Sequence, residues 1–263
     1  MREKVIDLKS PTIFDKGPTA RIGLVQTSNG MTSYNELLKI LPSDYGLYAN
    51  RVKLANPINI ENLLGVGDGL PDAAANVLPD VKVDALVYSC TSGAMVLGRE
   101  NTSNLLRKHR PDVQITSDPF TASVSALRSL GCRRITVLTP YIREANEKMM
   151  EALEEHGFEV LCFAGFGLEV DEDIIRTPYN FIKDTALQIF DPDSDALFIS
   201  CVSLVVVDHV KDLEETLGCP VVTANQAMGW HLLQMIAREK NLMPPQVKGY
   251  GELFYHNMVN DDL

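Results

Sequence analysis

Asp84-Ala-Leu-Val-Tyr-Ser-Cys90 and Asp195-Ala-Leu-Phe-Ile-Ser-Cys201 are two copies of one phrase, 111 residues apart. Their neighbourhoods repeat as well. Arg21-Ile-Gly-Leu-Val-Gln26 is echoed by Arg134-Ile-Thr-Val-Leu-Thr139 at an offset of 113, and Val113-Gln-Ile-Thr116 by Pro220-Val-Val-Thr223 at 107. Three segments recurring in one order at nearly one spacing identify two homologous halves. Each apolar run ends in small polar residues and leads into a helical pattern. Residues 22–29 lead to 33–41, 85–93 to 94–109, 135–141 to 143–156 with Gly157 as C-cap, and 196–204 to a helix ending near Leu217. One more amphipathic helix is expected over 225–237. Strands without alternation, interleaved with helices, predict parallel sheets covered on both faces. The expected fold class is α/β: two pseudo-symmetric, doubly wound parallel-sheet domains with the active site in the cleft between them. The first half starts at residue 20 and runs to 116, the second spans 117–225, and 1–19 form an N-terminal extension.

The chain has 263 residues, 45% apolar and 22% charged, enough for two small domains and incompatible with disorder. A net charge of −11 argues against nucleic-acid or anionic-membrane partners, which need a basic face. A small anionic substrate sees only its pocket and stays compatible. The N-terminus lacks an apolar signal core, and the longest apolar stretch, near 197–207, falls short of the roughly 18 residues that cross a bilayer. A cytoplasmic protein is expected. Cysteines at 90, 132, 162, 201 and 219 form no CxxC pair, and histidines at 109, 156, 209, 231 and 256 have no ligand spacing, so neither a disulfide framework nor a metal site is expected. Gly65-Val-Gly67-Asp-Gly69 follows a helical pattern and lacks the spacing of a dinucleotide loop.

In parallel sheets, ligands bind beyond the carboxyl ends of the strands, where Cys90 and Cys201 both fall. Thr91-Ser92-Gly93 follows the first and Val202-Ser203 the second. A lone cysteine at a strand end usually just fills space, but duplication in register beside hydroxyls points to function. Both are expected at helix N-termini, where free N–H groups and the dipole favour thiolate. Cys132, Cys162 and Cys219 lack such neighbours and read as packing residues. Thr27-Ser28-Asn29 and Thr139-Pro140-Tyr141 suit hydrogen bonding to a carboxylate, or equally ordinary turn chemistry. Thr116-Ser117 and Thr223-Ala-Asn225-Gln226 read as helix N-caps. His209 is expected two turns down a helix, away from the cleft, and Asp171-Glu172-Asp173 reads as a solvated loop.

Gln26-Thr-Ser-Asn29, Cys90-Thr-Ser-Gly93, Thr139-Pro-Tyr141, Ser200-Cys201-Val202 and Pro220-Val-Val-Thr-Ala-Asn-Gln226 together resemble the aspartate/glutamate racemase superfamily. Within it they are most similar to the group of maleate cis–trans isomerases and arylmalonate decarboxylases, over about 20–240. The resemblance implies a site between two pseudo-symmetric halves, with 226–263 returning to the first. It also implies cofactor-independent chemistry at a carbon next to a carboxylate, with no cofactor or metal and a small carboxylate as partner. Cys90 would be the nucleophile and Cys201 its acid/base counterpart. Asn29 and Tyr141 would bind substrate, and Thr91, Ser92, Val202 and Ser203 line the same place. The decarboxylases keep only the second cysteine, so the pair favours an isomerase, acting on maleate or a related small unsaturated dicarboxylate. The isomerases carry an asparagine in the loop that reads Gly167-Leu-Glu-Val-Asp-Glu-Asp173 here. Acids there would repel a second carboxylate and favour an ammonium, which opens an alternative, an amino-acid racemase similar to relatives associated with ectoine breakdown. A non-catalytic two-lobed solute-binding protein is a third reading, weakened by the matched thiols. A homo-oligomer is expected, isologous pairing being common for enzymes of this size.

Overall fold

The computed structural model describes residues 17–259, so residues 1–16 of the expected extension and the last four residues lie outside the described part. The first half runs β1 (Ala20–Thr27), α1 (Ser33–Ile40), β2 (Tyr45–Val52), α2 (Ile60–Gly65), α3 (Leu70–Ala75), β3 (Ala85–Ser89), α4 (Thr91–Leu97), α5 (Arg99–Arg107) and β4 (Ile115–Ser117). After α6 (Pro119–Ser129) the second half runs β5 (Arg134–Thr139), α7 (Arg143–Glu155), β6 (Glu159–Gly165), α8 (Asp171–Ile175), α9 (Tyr179–Ile189), β7 (Ala196–Ile199), α10 (Val210–Leu217) and β8 (Val221–Thr223). Helix α11 (Ala224–Glu239) follows. The sheets have orders β2-β1-β3-β4 and β6-β5-β7-β8, parallel throughout, strand for strand the same topology. The α/β fold of two like halves is as the sequence predicts.

The repeated aspartates explain part of the repeat. Arg21 N–H donates to Asp84 at 2.7 Å, and Arg134 N–H donates to Asp195 at the same distance. The return bonds, Asp84 N–H to Arg21 O at 2.8 Å and Asp195 N–H to Arg134 O at 2.7 Å, complete each clamp. Each acid therefore sets the register of the two central strands, Ile22 against Ala85 and Ile135 against Ala196. Beyond that point β3 and β7 are buried along their whole length, so both cysteines emerge at equivalent heights.

Four local expectations are corrected. The helix expected over 94–109 is two helices, broken at Gly98, whose φ of 78° lies in the left-handed region. After β7 no helix follows directly. Residues 201–206 form a turn, a 3-10 turn spans Val207–His209, and α10 begins only at Val210. Asp118, with Pro119 behind it, caps α6 in place of Thr116 or Ser117, accepting the Thr121 N–H at 2.8 Å. Thr223 does precede α11, and Gln226 Oε1 accepts its N–H at 2.9 Å. Helix α11 is buried on nearly every face over its first ten residues, rather than on one. It lies against α6, α1 and β4 as well as β8, so α6 and α11 form the seam between the halves. Among the described residues no helix is long and apolar enough to cross a membrane.

Candidate active site

Cys90 ends β3 and is the N-cap of α4. Its Sγ accepts the Gly93 N–H at 3.4 Å and lies 3.8 Å from Ser92 Oγ. A Cβ on Gly93 would come to 3.0 Å from that sulfur and closer still to the Tyr88 hydroxyl, so only glycine fits there. Tyr88, two residues before Cys90 and thus on the same face of the strand, sets its phenol beside the thiol. Thr91 Oγ1 is buried and without a hydrogen-bond partner among the described residues, and Tyr88 Oη has none besides the Cys90 sulfur. Buried orphans of this kind are uncommon and mark where a polar guest would complete the bonding.

Cys201 lies two residues beyond β7, with Ser203 N–H donating to its Sγ at 3.4 Å. It stands at φ 104°, a conformation that L side chains rarely adopt. Since no helix starts here, the expected dipole assistance is missing at Cys201 and present at Cys90 alone. Tyr141 is buried with its hydroxyl 3.3 Å from Ser200 Oγ. Burial first, then the neighbouring Cys201 and Cys90, push its phenol far above the ordinary range. The two thiols and this phenol therefore lie within electrostatic reach of one another.

The expected thiolates are also corrected. Burial pushes Cys201 up to about 12, with Asp171 adding to it and the Ser203 N–H opposing. Cys90 is raised by burial too, and by Asp171, against the Gly93 N–H and the Tyr88 and Ser92 hydroxyls. Each residue is only 8% exposed, so desolvation of a thiolate outweighs two or three donors. Burial therefore favours the neutral thiol at both positions.

Asp171 is the largest departure from expectation. It opens α8 rather than a solvated loop, and only Glu172 and Asp173 face solvent. Asp171 is 7% exposed and its Oδ1 accepts from Ser203 Oγ at 2.6 Å. Burial raises its own pKa, against the Ser203 bond. The acids around it and its distance in sequence from both cysteines hide it; an acid where the resembling isomerases carry an amide is its one signal. Ser203 thus serves both Cys201 and Asp171, and the Val202 carbonyl accepts from Asn225 at 2.8 Å.

Asn29 is half-buried at the rim and engaged by the loop after β2. Its Nδ2 donates to Leu54 O at 3.4 Å and to Asn56 Oδ1 at 3.2 Å. That loop meets the other half where Ile58 N–H donates to Glu169 O at 2.8 Å. His209 stacks on Tyr179 at 3.6 Å between ring centroids, and Cys132 is buried against the Asp195 carbonyl, so neither joins the pair. Among the described residues no group of three His, Cys, Asp or Glu side chains could hold a metal ion.

Two like α/β lobes, each with a cysteine just beyond the third strand of its sheet, define a two-lobed α/β class of protein. The sequence model of the arylmalonate decarboxylase (Amdase) family matches residues 58–254, and the chain belongs to that family. It is 31% identical to the arylmalonate decarboxylase of Bordetella bronchiseptica over 136 residues, a match spanning 51% of this chain and 55% of that protein. It is 25% identical to the maleate isomerase of Pseudomonas putida over 249 residues, 89% of this chain and 96% of the relative. A cysteine-to-serine variant of the Nocardia farcinica maleate cis-trans isomerase, solved with a covalently bound succinylcysteine intermediate, has the same fold. Its TM-score is 0.80 at 23% identity, over 89% of this chain and 98% of that one.

Proposed function

We propose that the protein is a cofactor-independent isomerase that uses Cys90 and Cys201 on a small carboxylate, with cis–trans isomerisation of maleate or a related unsaturated dicarboxylate as its reaction. The observation that carries this reading is the enclosure of both thiols, at equivalent strand ends, with Tyr141 within electrostatic reach of each. Cys90, having passed its proton to a bound carboxylate, forms a carbon–sulfur bond to one alkene carbon. The π electrons move to the neighbouring carbon, beside the carboxylate, and the Cys201 thiol protonates it. The central bond is then single and rotates. Return of that proton to the Cys201 thiolate re-forms the double bond and expels Cys90 as thiolate, which takes its own proton back from the carboxylate as the trans isomer leaves, so no proton, oxidant or reductant is consumed. The Gly93 and Ser203 N–H groups, with the hydroxyls of Tyr88 and Thr91, are the donors available to developing charge; such donors contribute on the order of 3 kcal/mol each. Asn29 and Tyr141 bind the carboxylates in this reading. The full-length likeness to a relative named maleate isomerase supports it, as does the second cysteine, which a decarboxylase reading leaves without a task.

Asp171 favours a second reading, amino-acid racemisation. A buried carboxylate beside both thiols is a natural partner for a substrate ammonium and a poor one for a second carboxylate. Incubation with maleate and with a panel of amino acids in deuterated water separates the two. Fumarate formation supports the first, whereas α-deuterium incorporation into an amino acid without fumarate formation supports the second and refutes the first. We assign the activity to a homo-oligomer in the cytoplasm, to be checked by light scattering and fractionation.

A further inference from the structure

The turn that carries Cys201 is held from the other half of the molecule by a buried acid. Glu36 lies on α1 and is 2% exposed. Its Oε1 accepts the Val207 N–H at 3.3 Å, and its Oε2 accepts from Asn225 Nδ2. The same Nδ2 donates at 2.8 Å to the carbonyl of Val202, the residue after Cys201. Thr32 Oγ1, just before α1, donates to that carbonyl as well. The turn 201–207 is thus gripped at both ends from the first half and from α11. Cys201 needs such a grip, because a non-glycine residue at φ 104° persists only where its surroundings enforce it.

Asn225 has both Nδ2 hydrogens committed to acceptors, while its Oδ1 is buried without a partner among the described residues. Turning the amide over would set Oδ1 against the Val202 carbonyl and the carboxylate together. Charge on Glu36 therefore decides the orientation. The carboxylate demands a donor; the carboxylic acid would present its own proton and demand an acceptor. We propose that Glu36 is a positioning residue: as a carboxylate it holds the Asn225 amide toward Val202, and so fixes the turn that aims Cys201 into the cleft. The effect on turnover rests on the reading of Cys201 given above, while the effect on the turn does not.

Burial brings the titration of Glu36 to about 7. The charged groups acting on it are Lys39, on its own helix, and Asp208, beyond the Cys201 turn, which are paired with each other. From α11 it meets the neutral Asn225 amide. Acidification through this range protonates Glu36, releases the amide and frees one of the two donors on Val202.

The test reads the modification of Cys201 relative to Cys90 by dithiodipyridine, which attacks thiols in mild acid as well as at neutral pH. Both thiols titrate above the range used, so their own ionisation cancels in the ratio. In the wild-type protein the ratio rises about tenfold between about pH 8 and about pH 6, the size expected when a hydrogen bond to a charged group is lost. Glu36→Gln shows the raised ratio at both pH values, and with maleate as probe it lowers kcat much more than it raises KM and lacks the wild-type fall in kcat on acidification. A wild-type ratio independent of pH overturns the proposal, as does a Gln variant that keeps the wild-type pH response. The wild-type measurement needs no substitution, so a variant that fails to fold leaves it intact. Because labelling needs no turnover, absence of maleate turnover in the wild type counts against the proposed reaction and not against this role of Glu36.

Discussion

Asp171→Asn should make the paired thiols more reactive, and the size of the effect follows from the geometry. Asp171 Oδ1 lies 2.6 Å from Ser203 Oγ, and Ser203 N lies 3.4 Å from Cys201 Sγ. Two hydrogen-bonded steps leave the carboxylate close enough that one unit charge is worth on the order of 2 kcal/mol, at an effective dielectric near 20. Since one pKa unit is about 1.4 kcal/mol, removing that charge lowers the Cys201 pKa by about one unit from its value of about 12. The sign is fixed, because a nearby anion opposes thiolate formation and its loss favours it. At any pH below the thiol's pKa the thiolate fraction therefore rises about tenfold. Asparagine keeps an oxygen to accept from Ser203, so the turn is preserved. The assay is the second-order rate of iodoacetamide alkylation at Cys201, followed by peptide mass spectrometry at about pH 8. Cys132, buried against the Asp195 carbonyl at 3.8 Å, serves as internal reference. An unchanged or slower rate at Cys201, with Cys132 unaltered, would refute the electrostatic role given to Asp171.

Replacing Cys90 or Cys201 by alanine should each reduce maleate turnover by at least about a thousandfold, as residues acting as one unit do, while thermal melting shows a folded protein. Retained turnover in either would remove the pair from the mechanism. Gly93→Ala should destabilise by about 1–3 kcal/mol in denaturant titration, because its Cβ would press on Cys90 Sγ and the Tyr88 hydroxyl; a neutral result contradicts the close packing there. Asp195 is held below the usual carboxylate range, first by the Arg134 N–H and then by the Arg133 N–H. A depressed folded pKa means stability that is present above the unfolded value near 4 and lost as pH falls through the folded one. Asp195→Asn should flatten that acid limb in urea titrations, and an unaltered limb would show the clamp to be energetically silent.

The two-fold repeat was legible because the residues that spell it have local tasks. Asp84 and Asp195 bond the strand beside them, the apolar residues after them fill a strand buried on both faces, and the cysteines follow where the strands end. Such tasks leave their mark within a few residues of chain. The site's asymmetry was not legible, because it arises between distant segments. Nothing near Cys201 announces a φ of 104°, and the helical pattern downstream invited the expectation of an immediate N-terminus; the turn exists because Thr32, Glu36 and Asn225 grip it, the last two 189 residues apart. Asp171 likewise sits among acids that do face water, and burial selects it alone. Tyr88 could have been found: strand alternation puts it on the Cys90 side of β3.

The inequality of the thiols bears on which reaction the pair can run. Cys90 keeps a helix start, the Gly93 N–H and two hydroxyls beside its sulfur, all of which favour thiolate. Cys201 keeps the Ser203 N–H and the Tyr141 hydroxyl but lies under the stronger influence of Asp171, which ranks directly after burial among the causes holding it up to about 12. A racemase working in both directions needs each sulfur to serve in turn as base and as acid, and matched environments would serve it best. Addition and elimination divide the labour instead, with one sulfur attacking as thiolate and the other remaining a thiol that lends a proton and takes it back. The donors gather around Cys90 and the anion around Cys201, the division the second scheme requires. For a racemase, a bound ammonium would have to cancel Asp171 and level the two sites. Alkylation rates with and without a saturating amino acid decide between them: a ligand that brings Cys90 and Cys201 to equal reactivity argues for proton exchange, and a persistent excess at Cys90 argues for nucleophilic addition.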